Sequence, residues 1–180
     1  MSLNLYEIDN APSVAIADEL RESQKDFGFV PNLHKAMAAS HEALTGYKAL
    51  HSAFQNTSFN STELTVVWQT INNFHGCDYC MPAHTAIAHM LKVDEATINK
   101  LHNGETVNDP KLAALQATVL EITESRGHLS EATRQAFFDA GYGEKQLVEI
   151  VLGLSQKVLS NYINHLAETP LDGQFRKLAK

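Results

Sequence analysis

Apolar residues recur at steps of three and four positions along almost the whole chain, a spacing that is typical of amphipathic helices. Segments with this pattern begin near residues 13, 31, 42, 60, 77, 94, 109, 130 and 144. We find no convincing run of alternating apolar and polar residues, which a half-buried strand would show. The pattern therefore predicts an all-α fold, a single-domain helical bundle over residues 1–180.

The middle of the chain holds two predicted helices that follow each other closely. Asn60 and Glu63 have the spacing of a capping box, so a helix should begin directly after Asn60. The next helix is predicted to begin near Cys77 or Asp78 and to run to about Leu91. A proline at position 82 supports a start just upstream, because proline is tolerated in the first helical turn.

The last long helix is predicted from about Glu144 to Glu168, and its pattern is mixed. We expect its apolar stripe to be core, or in part a subunit interface if the protein is oligomeric: Leu147, Ile150, Val151 and Leu154. Asn161, Asn164 and His165 interrupt the apolar residues further on. These three side chains are expected either to satisfy a core or subunit contact or to form the wall of a pocket.

Composition and charge narrow the class of protein. A chain of 180 residues can bury roughly 70% of its unfolded surface, so it needs no disulfide to be stable. Its 14 Lys and Arg against 21 Asp and Glu give a net charge of −7, and an acidic chain without a basic run argues against a nucleic-acid partner. No apolar stretch approaches the roughly 18 residues of a membrane span, and Met1–Glu7 has no features of a secretory signal. We therefore expect a cytoplasmic protein.

The candidate chemistry lies in the segment from residue 75 to residue 84. Cys77 and Cys80 are the only two cysteines of the chain, and in a reducing compartment such a pair is typical of catalysis or metal binding. A thiol near a helix start is stabilised as thiolate by free backbone N–H groups and by the helix dipole. On a helix, His84 lies on the same face as Cys80, four residues on, and could relay protons to and from a thiol.

These residues suit the reduction of a peroxide. A thiolate attacks a peroxide oxygen and becomes a sulfenic acid, with which a second cysteine three residues away can condense to a disulfide. Two other interpretations stay open. The cysteines could be small buried residues of a non-redox binding or assembly module, or His75, Cys77, Cys80 and His84 could hold zinc. Four ligands within ten positions would struggle to surround a metal ion.

The motif is similar to that of the alkylhydroperoxidase D-like group of the carboxymuconolactone decarboxylase superfamily. The matching block runs from Thr65 to His89 and contains the CxYCxxxH core of residues 77–84 within a motif region of about 60–92. Segments 28–33, 148–151 and 161–165 resemble the same group, so the similarity covers most of the chain. The resemblance implies an all-α fold whose subunits pack as a homotrimer or homohexamer.

The resemblance also implies an antioxidant peroxidase or disulfide reductase that acts on small or organic hydroperoxides. Cys80 would be the peroxidatic thiol, Cys77 the resolving thiol and His84 part of a proton relay. Electrons would come from an external dithiol, such as a lipoyl-carrying protein, and no flavin, haem or metal is implied. A decarboxylase or lactone-processing enzyme of the same superfamily is an alternative, although that chemistry needs carboxylate recognition and a base rather than a dithiol.

Two positions depart from the pattern of this group. Many members have a glutamate twelve residues before the first cysteine, where this chain has Thr65. Thr65 could hold a water but cannot act as a base at neutral pH, and Glu63 is a candidate replacement that already has a capping role. Tyr79, between the cysteines, is expected to be a packed aromatic residue.

Three further expectations concern neighbouring aromatic residues and histidines. When charged, His75 could lower the pKa of Cys77. Trp68 is expected in the core, or lining the approach to the thiols. The histidines in polar sequence surroundings are expected at the surface: His34, His41, His51, His102 and His128.

Overall fold

The computed structural model describes residues 3–179. The predicted domain limits, Met1 and Lys180, lie outside this range, as do the first two residues of the N-terminal segment. Within residues 3–179 the chain forms helices without a strand, which confirms the all-α prediction. The α-helices are α1 Val14–Phe27, α2 Asn32–Met37, α3 His41–Gln55, α4 Ser61–Phe74, α5 Cys80–Met90, α6 Glu95–Asn103, α7 Pro110–Glu124, α8 Glu131–Asp139 and α9 Glu144–Ala167, with 3₁₀ turns at Ile8–Asn10 and Gly173–Leu178.

Helix α4 is the central element of the bundle. Its predicted capping box is confirmed: Asn60 Oδ1 accepts from the backbone N–H groups of Thr62 and Glu63, and Glu63 Oε2 accepts from the N–H of Asn60 at 2.9 Å. The helix is buried without interruption from residue 63 to residue 72 because α5, α6, α7 and α9 pack around it. The cysteine segment that follows α4 therefore packs against a rigid, buried helix.

The buried apolar residues form two large clusters. The first lies between α4, α7, α8 and α9 and includes Phe54, Trp68, Ile71, Leu115 and Phe137. The second lies between α1, α2, α3 and the start of α5, and it includes Leu20, Leu33, Met37, Leu44, Cys77 and Cys80. Both cysteines thus lie among apolar side chains that surround the junction between α4 and α5.

Helix α9 buries a face that is largely polar. Of the expected apolar stripe, Ile150 is fully buried but Val151 is 49% exposed. The same side of the helix then buries Gln156, Lys157, Ser160, Asn161 and Asn164, whereas Val148, Tyr162 and Leu166 are exposed. A helix that turns amides and a lysine inward and valine and leucine outward must have polar partners inside, and these are the groups of the candidate site.

Close packing of α9 against α3 depends on Gly153. A Cβ added at this residue would lie 2.6 Å from Cε2 of Phe54, whose side chain is fully buried against Phe59 and Trp68. An added methyl therefore cannot be accommodated by moving a flexible side chain. In contrast, a Cβ at Gly46 of α3 would meet nothing within 4 Å.

We expect Gly153→Ala to lower the free energy of unfolding by roughly 1–3 kcal/mol, the usual cost of overpacking a core. The matched control Gly46→Ala should instead raise it by up to about 1 kcal/mol, because alanine is the better helix former. Urea unfolding of the two variants and the unchanged protein measures both effects. A Gly153→Ala protein as stable as Gly46→Ala would contradict the packing argument.

The C-terminal segment closes over the motif from the outside. Tyr79 donates a hydrogen bond to Asp172 Oδ2 at 2.5 Å and accepts one from the N–H of Leu33 at 3.2 Å, while Asp172 also accepts from the N–H of Asn32. The following 3₁₀ turn packs against α5. The described helices include none with the length and hydrophobicity that crossing a membrane requires.

Candidate active site

The two cysteines lie where α4 ends and α5 begins. Gly76 takes a positive φ of 59°, and the N–H of Cys77 then bonds to the carbonyl of Asn72 at 3.1 Å, which completes the C-terminal cap of α4. Helix α5 begins at Cys80, so the predicted start near Cys77 or Asp78 is wrong by two to three residues. The carbonyl of Cys77 already accepts from the N–H of Met81 at 3.0 Å, but Pro82 has no N–H for the carbonyl of Asp78, so regular helical bonding begins later. Pro82 accordingly lies in the first turn, as the sequence required.

Both thiols are free and buried, with 0% exposure for Cys77 and 2% for Cys80. The N–H of Cys80 points at Cys77 Sγ at 3.4 Å, and Asn164 of α9 donates its amide to Cys80 Sγ at 3.2 Å. Burial by itself raises the pKa of Cys80. The hydrogen bond from Cys77, the charge of Lys157 and the amides of Asn161 and Asn164 outweigh burial and lower that pKa below its ordinary value.

The environment separates the two thiols chemically. The hydrogen bond to Cys80, then burial and the charge on Cys80, raise the pKa of Cys77. The pair therefore favours a thiolate on Cys80 and a protonated thiol on Cys77. Cys80 is then the nucleophile of the pair, and Cys77 is the proton donor.

His84 is buried one turn after Cys80 and binds Lys157 rather than a carboxylate. Its Nε2 lies 2.9 Å from Nζ of Lys157. Burial, and next the charge of Lys157, hold the pKa of His84 well below its ordinary value, so the ring is neutral. Because an ammonium can only donate, Nε2 accepts and Nδ1 carries the ring proton. Nδ1 is buried and has no hydrogen-bond partner among the described residues, so its proton has no acceptor there.

Aromatic and amide side chains surround this histidine. The Trp68 ring lies 4.9 Å from the His84 ring and stacks on His51 at 5.7 Å. Trp68 Nε1 donates to Oε1 of Gln156 at 2.7 Å, and the amide nitrogen of Gln156 lies 3.0 Å from Nδ1 of His51. Burial, followed by the charge of Lys157, lowers the pKa of His51 to about 4. Trp68 is 1% exposed and belongs to the first buried cluster, which confirms its predicted place in the core.

A chain of buried amides connects α9, α4 and α5 behind the thiols. Asn161 donates to Oδ1 of Asn72 at 3.0 Å, and Asn72 donates to Oε1 of Gln69 at 2.9 Å. Gln69 in turn donates to the carbonyl of Met81 and to the hydroxyl of Thr85. Buried amides that are paired in this way fix the positions of the helices that carry them.

The structure places Glu63 and Thr65 among other partners. Glu63 binds Asn60, accepts from the Tyr142 hydroxyl at 3.0 Å and lies 3.4 Å from Nζ of Lys111, and Thr65 donates to the carbonyl of its own helix at residue 61. None of the recorded contacts of these two residues is with a cysteine or with His84. The capping role of Glu63 accounts for its contacts at the start of α4.

His75 and Tyr79 lie on either side of the cysteines. His75 makes edge-on contacts with the rings of Phe74 and Tyr162, and burial, then His165 and Lys157, lower its pKa. It is therefore neutral near pH 7 and adds no positive charge beside Cys77. Tyr79 is buried against Asp172, as expected for a packed aromatic residue.

Of the five histidines expected at the surface, His128 is exposed, His41, His51 and His102 are half-buried, and His34 is buried, so the expectation is wrong for His34. His34 is 4% exposed, with Nδ1 2.8 Å from the hydroxyl of Ser23, and His51 is half-buried against Trp68. Sequence reasoning also missed Gln156 and Lys157. Their signal was present, because the stripe of core positions on α9 continues at helical spacing into these polar residues.

The positions of the histidine, cysteine and carboxylate side chains test the interpretation that the motif holds zinc. Among residues 3–179, no group of three or more His, Cys, Asp or Glu side chains could hold a metal ion. The hydrogen bond of His84 Nε2 to a lysine likewise differs from the usual second partner of a zinc-bound histidine, which is a carboxylate or carbonyl.

Comparison with known proteins identifies the fold. No protein-family model matches the sequence, and no curated relative matches it. A peroxidase-related protein with the alkylhydroperoxidase AhpD core from Ralstonia eutropha JMP134 is 21% identical, with a TM-score of 0.78 over 95% of this chain and 92% of that one. A peroxidase-related protein from Silicibacter sp. TM1040 is 17% identical, with a TM-score of 0.81 over 97% and 93% of the two chains.

A third solved structure is the debrominase Bmp8 in complex with 2,3,4-tribromopyrrole. It is 16% identical, with a TM-score of 0.79 over 97% of this chain and 94% of that one. Together these likenesses show that the chain has the alkylhydroperoxidase D-like fold. The resemblance predicted from the CxxC motif is confirmed at the level of the fold.

Proposed function

We propose that the protein is a thiol-dependent peroxidase that reduces small or organic hydroperoxides through a dithiol–disulfide cycle of Cys80 and Cys77. The observation that carries this proposal is the asymmetry of the pair. Cys80 receives the amide of Asn164 at 3.2 Å and has a lowered pKa, whereas the pKa of Cys77 is raised. Two of the solved structures with this fold are of peroxidase-related proteins, which agrees with the proposal.

The reaction follows from the roles of the three groups. The Cys80 thiolate attacks the terminal oxygen of the hydroperoxide, so that an S–O bond forms, the O–O bond breaks and the electron pair leaves with the alkoxide. The alkoxide takes the Nδ1 proton of His84 and departs as an alcohol. Cys77 then attacks the sulfenic sulfur, which forms the disulfide and releases water. An external dithiol, such as a lipoyl group, reduces the disulfide in two electrons.

The assembly and location belong to the same proposal. We expect the protein to be cytoplasmic. We also expect a homotrimer or homohexamer, because α9 exposes apolar side chains that a subunit interface would cover. These residues are Val148, Val151, Tyr162 and Leu166, with exposed fractions of 71%, 49%, 51% and 67%.

The experiment is a count of free thiols after exposure to cumene hydroperoxide. The reduced protein, treated and then unfolded, should have lost both of its thiols. The Cys77→Ser variant should stop at the sulfenic acid of Cys80 and form no disulfide within the chain. The Cys80→Ser variant should keep the thiol of Cys77. Unchanged thiols in the unsubstituted protein would remove the peroxidase proposal.

Debromination is a second candidate function, favoured by the fold that the chain shares with Bmp8 and by the rings beside the thiols. Tyr47, His51, Trp68 and His84 follow one another with centroid separations of 6.0, 5.7 and 4.9 Å. Replacing an aromatic bromine by hydrogen consumes two electrons, which oxidation of a dithiol supplies. The same thiol count with tribromopyrrole in place of the hydroperoxide, and bromide release as readout, distinguishes the two functions.

A further inference from the structure

Lys157 is a fully buried cation without a carboxylate. Its exposed fraction is 0%, and among residues 3–179 the ion pairs of lysines with acidic residues involve other lysines. Removing an ammonium from water without an opposite charge is very unfavourable, so buried charges in proteins are paired. A protonated Lys157 therefore requires a nearby anion other than a carboxylate.

Lys157 Nζ contacts His84, and Lys157 lies on the same buried side of α9 as Asn164, whose amide donates to Cys80 Sγ at 3.2 Å. The charge of Lys157 also acts on the pKa values of Cys77, Cys80, His51 and His75. The three histidines are neutral, since burial lowers the pKa of each. Tyr47, whose hydroxyl is buried near Cys80, has a raised pKa and is also neutral. Cys80 is the remaining group that can carry the negative charge.

The contact with His84 adds a second observation. Lys157 Nζ donates to Nε2 at 2.9 Å, and the opposite ring nitrogen is a buried donor without a partner. A proton can therefore pass from Lys157 into Nε2 while the Nδ1 proton leaves toward a substrate. The imidazole connects the ammonium to the place where a leaving alkoxide would form.

We propose that Lys157 is a positioning residue with two tasks: it is the counter-ion of the Cys80 thiolate, and it stores the proton that His84 delivers to the leaving alkoxide. The second task rests on the proposed peroxidase function, whereas the first does not.

The charges balance in each step. Before reaction the site holds one thiolate and one ammonium. The thiolate attacks the hydroperoxide, the S–O bond forms, and the O–O bond breaks to give an alkoxide. His84 gives its Nδ1 proton to the alkoxide and takes one from Lys157 at Nε2. The products are a sulfenic acid, an alcohol and a neutral amine. The buried site stays neutral throughout, so no charge is left without a partner in the apolar interior.

Two substitutions of Lys157 separate its tasks, and Lys145→Met is the control, because Lys145 lies on the same helix with a side chain that is 70% exposed. Lys157→Met removes the charge. It should raise the pKa of Cys80 by about one unit or more, a tenfold change in the acid dissociation constant, read from the pH dependence of the thiolate ultraviolet absorbance and of alkylation by iodoacetamide. Lys145→Met should leave both readouts unchanged.

Lys157→Arg keeps the charge but holds its proton, because a guanidinium is not deprotonated in proteins. It should retain the thiolate and yet slow the single-turnover oxidation by cumene hydroperoxide about tenfold or more. If Lys157→Arg is oxidised as fast as the unsubstituted protein, Lys157 does not store the proton that His84 delivers.

The counter-ion role can also be tested without a folded methionine variant. The unsubstituted reduced protein should show a thiolate at pH 7 that disappears on urea unfolding. Absence of that thiolate, or an unchanged pKa of Cys80 in folded Lys157→Met, would overturn the counter-ion role. Since this readout involves no peroxide, a failure of the peroxidase proposal leaves it intact, and the two results are distinguishable.

Discussion

Lowering the pH from 7 to 5 is expected to reduce the free energy of unfolding by roughly 3–6 kcal/mol. Two buried histidines, His34 and His84, and the half-buried His51 cause this. Burial lowers the pKa of His34 from 6.5 to about 3 and that of His51 to about 4, and burial with the charge of Lys157 lowers that of His84 well below 6.5. Such a loss would be a large part of the 5–15 kcal/mol by which proteins are usually stable.

The sign follows from proton binding in the two states. Above pH 6.5 these histidines are neutral whether the chain is folded or unfolded, so the stability is fully present. Below pH 6.5 the unfolded chain binds protons that the folded chain does not, and the stability falls until the pH reaches the folded pKa values. Each histidine contributes at most about 1.4 kcal/mol per pH unit in this window.

Urea unfolding at pH 7, 6 and 5 measures the effect. His34→Asn should make the pH dependence shallower by the share of one histidine. His128→Asn, at an exposed position, should leave the dependence as it is. A free energy of unfolding that does not change between pH 7 and 5 would contradict the neutral state of these side chains.

Asn164→Asp is expected to lower the reactivity of Cys80 at pH 7 by about a hundredfold or more. The amide that donates to Cys80 Sγ at 3.2 Å becomes a carboxylate of nearly the same shape. Two like charges about 4 Å apart repel by about 4 kcal/mol at the effective dielectric of a protein, so the pKa of Cys80 should rise steeply. The new carboxylate would also compete for the charge of Lys157.

Asn164→Ser is the matched control, because it removes the amide without adding a charge. It should raise the pKa of Cys80 by about one to two units, the usual value of a hydrogen bond to a charged group. Alkylation by iodoacetamide as a function of pH measures both variants, and the Asp variant should recover as the pH rises. If Asn164→Asp reacts as fast as Asn164→Ser, the charge at this position does not control the thiolate.

The helices could be predicted because their signals are local. Asn60 and Glu63 lie on consecutive turns and bind each other's backbone, so four residues of sequence determine where α4 begins. Helix α5 begins two to three residues after the predicted start because Pro82 has no N–H to bond to the carbonyl of Asp78, although the carbonyl of Cys77 already accepts from Met81.

The candidate site could be predicted only in part. Cys77, Cys80 and His84 lie within one short segment, and their spacing suggested the chemistry. Their partners Lys157 and Asn164 lie 73 and 84 residues from the groups they bind. Periodicity places these two residues on one side of α9 but does not say what that side faces. Val151 shows the same limit, since an apolar residue on a regular stripe is half exposed.

Helix α9 brings its inward amides and its lysine to the thiols from one continuous rod of 24 residues. Gln156, Lys157, Asn161 and Asn164 are therefore locked in register with one another, and a shift of the rod displaces them all in concert. A displacement of α9, for example by a second protein that binds its exposed valine and leucine residues, would therefore change the electrostatics of both sulfurs together.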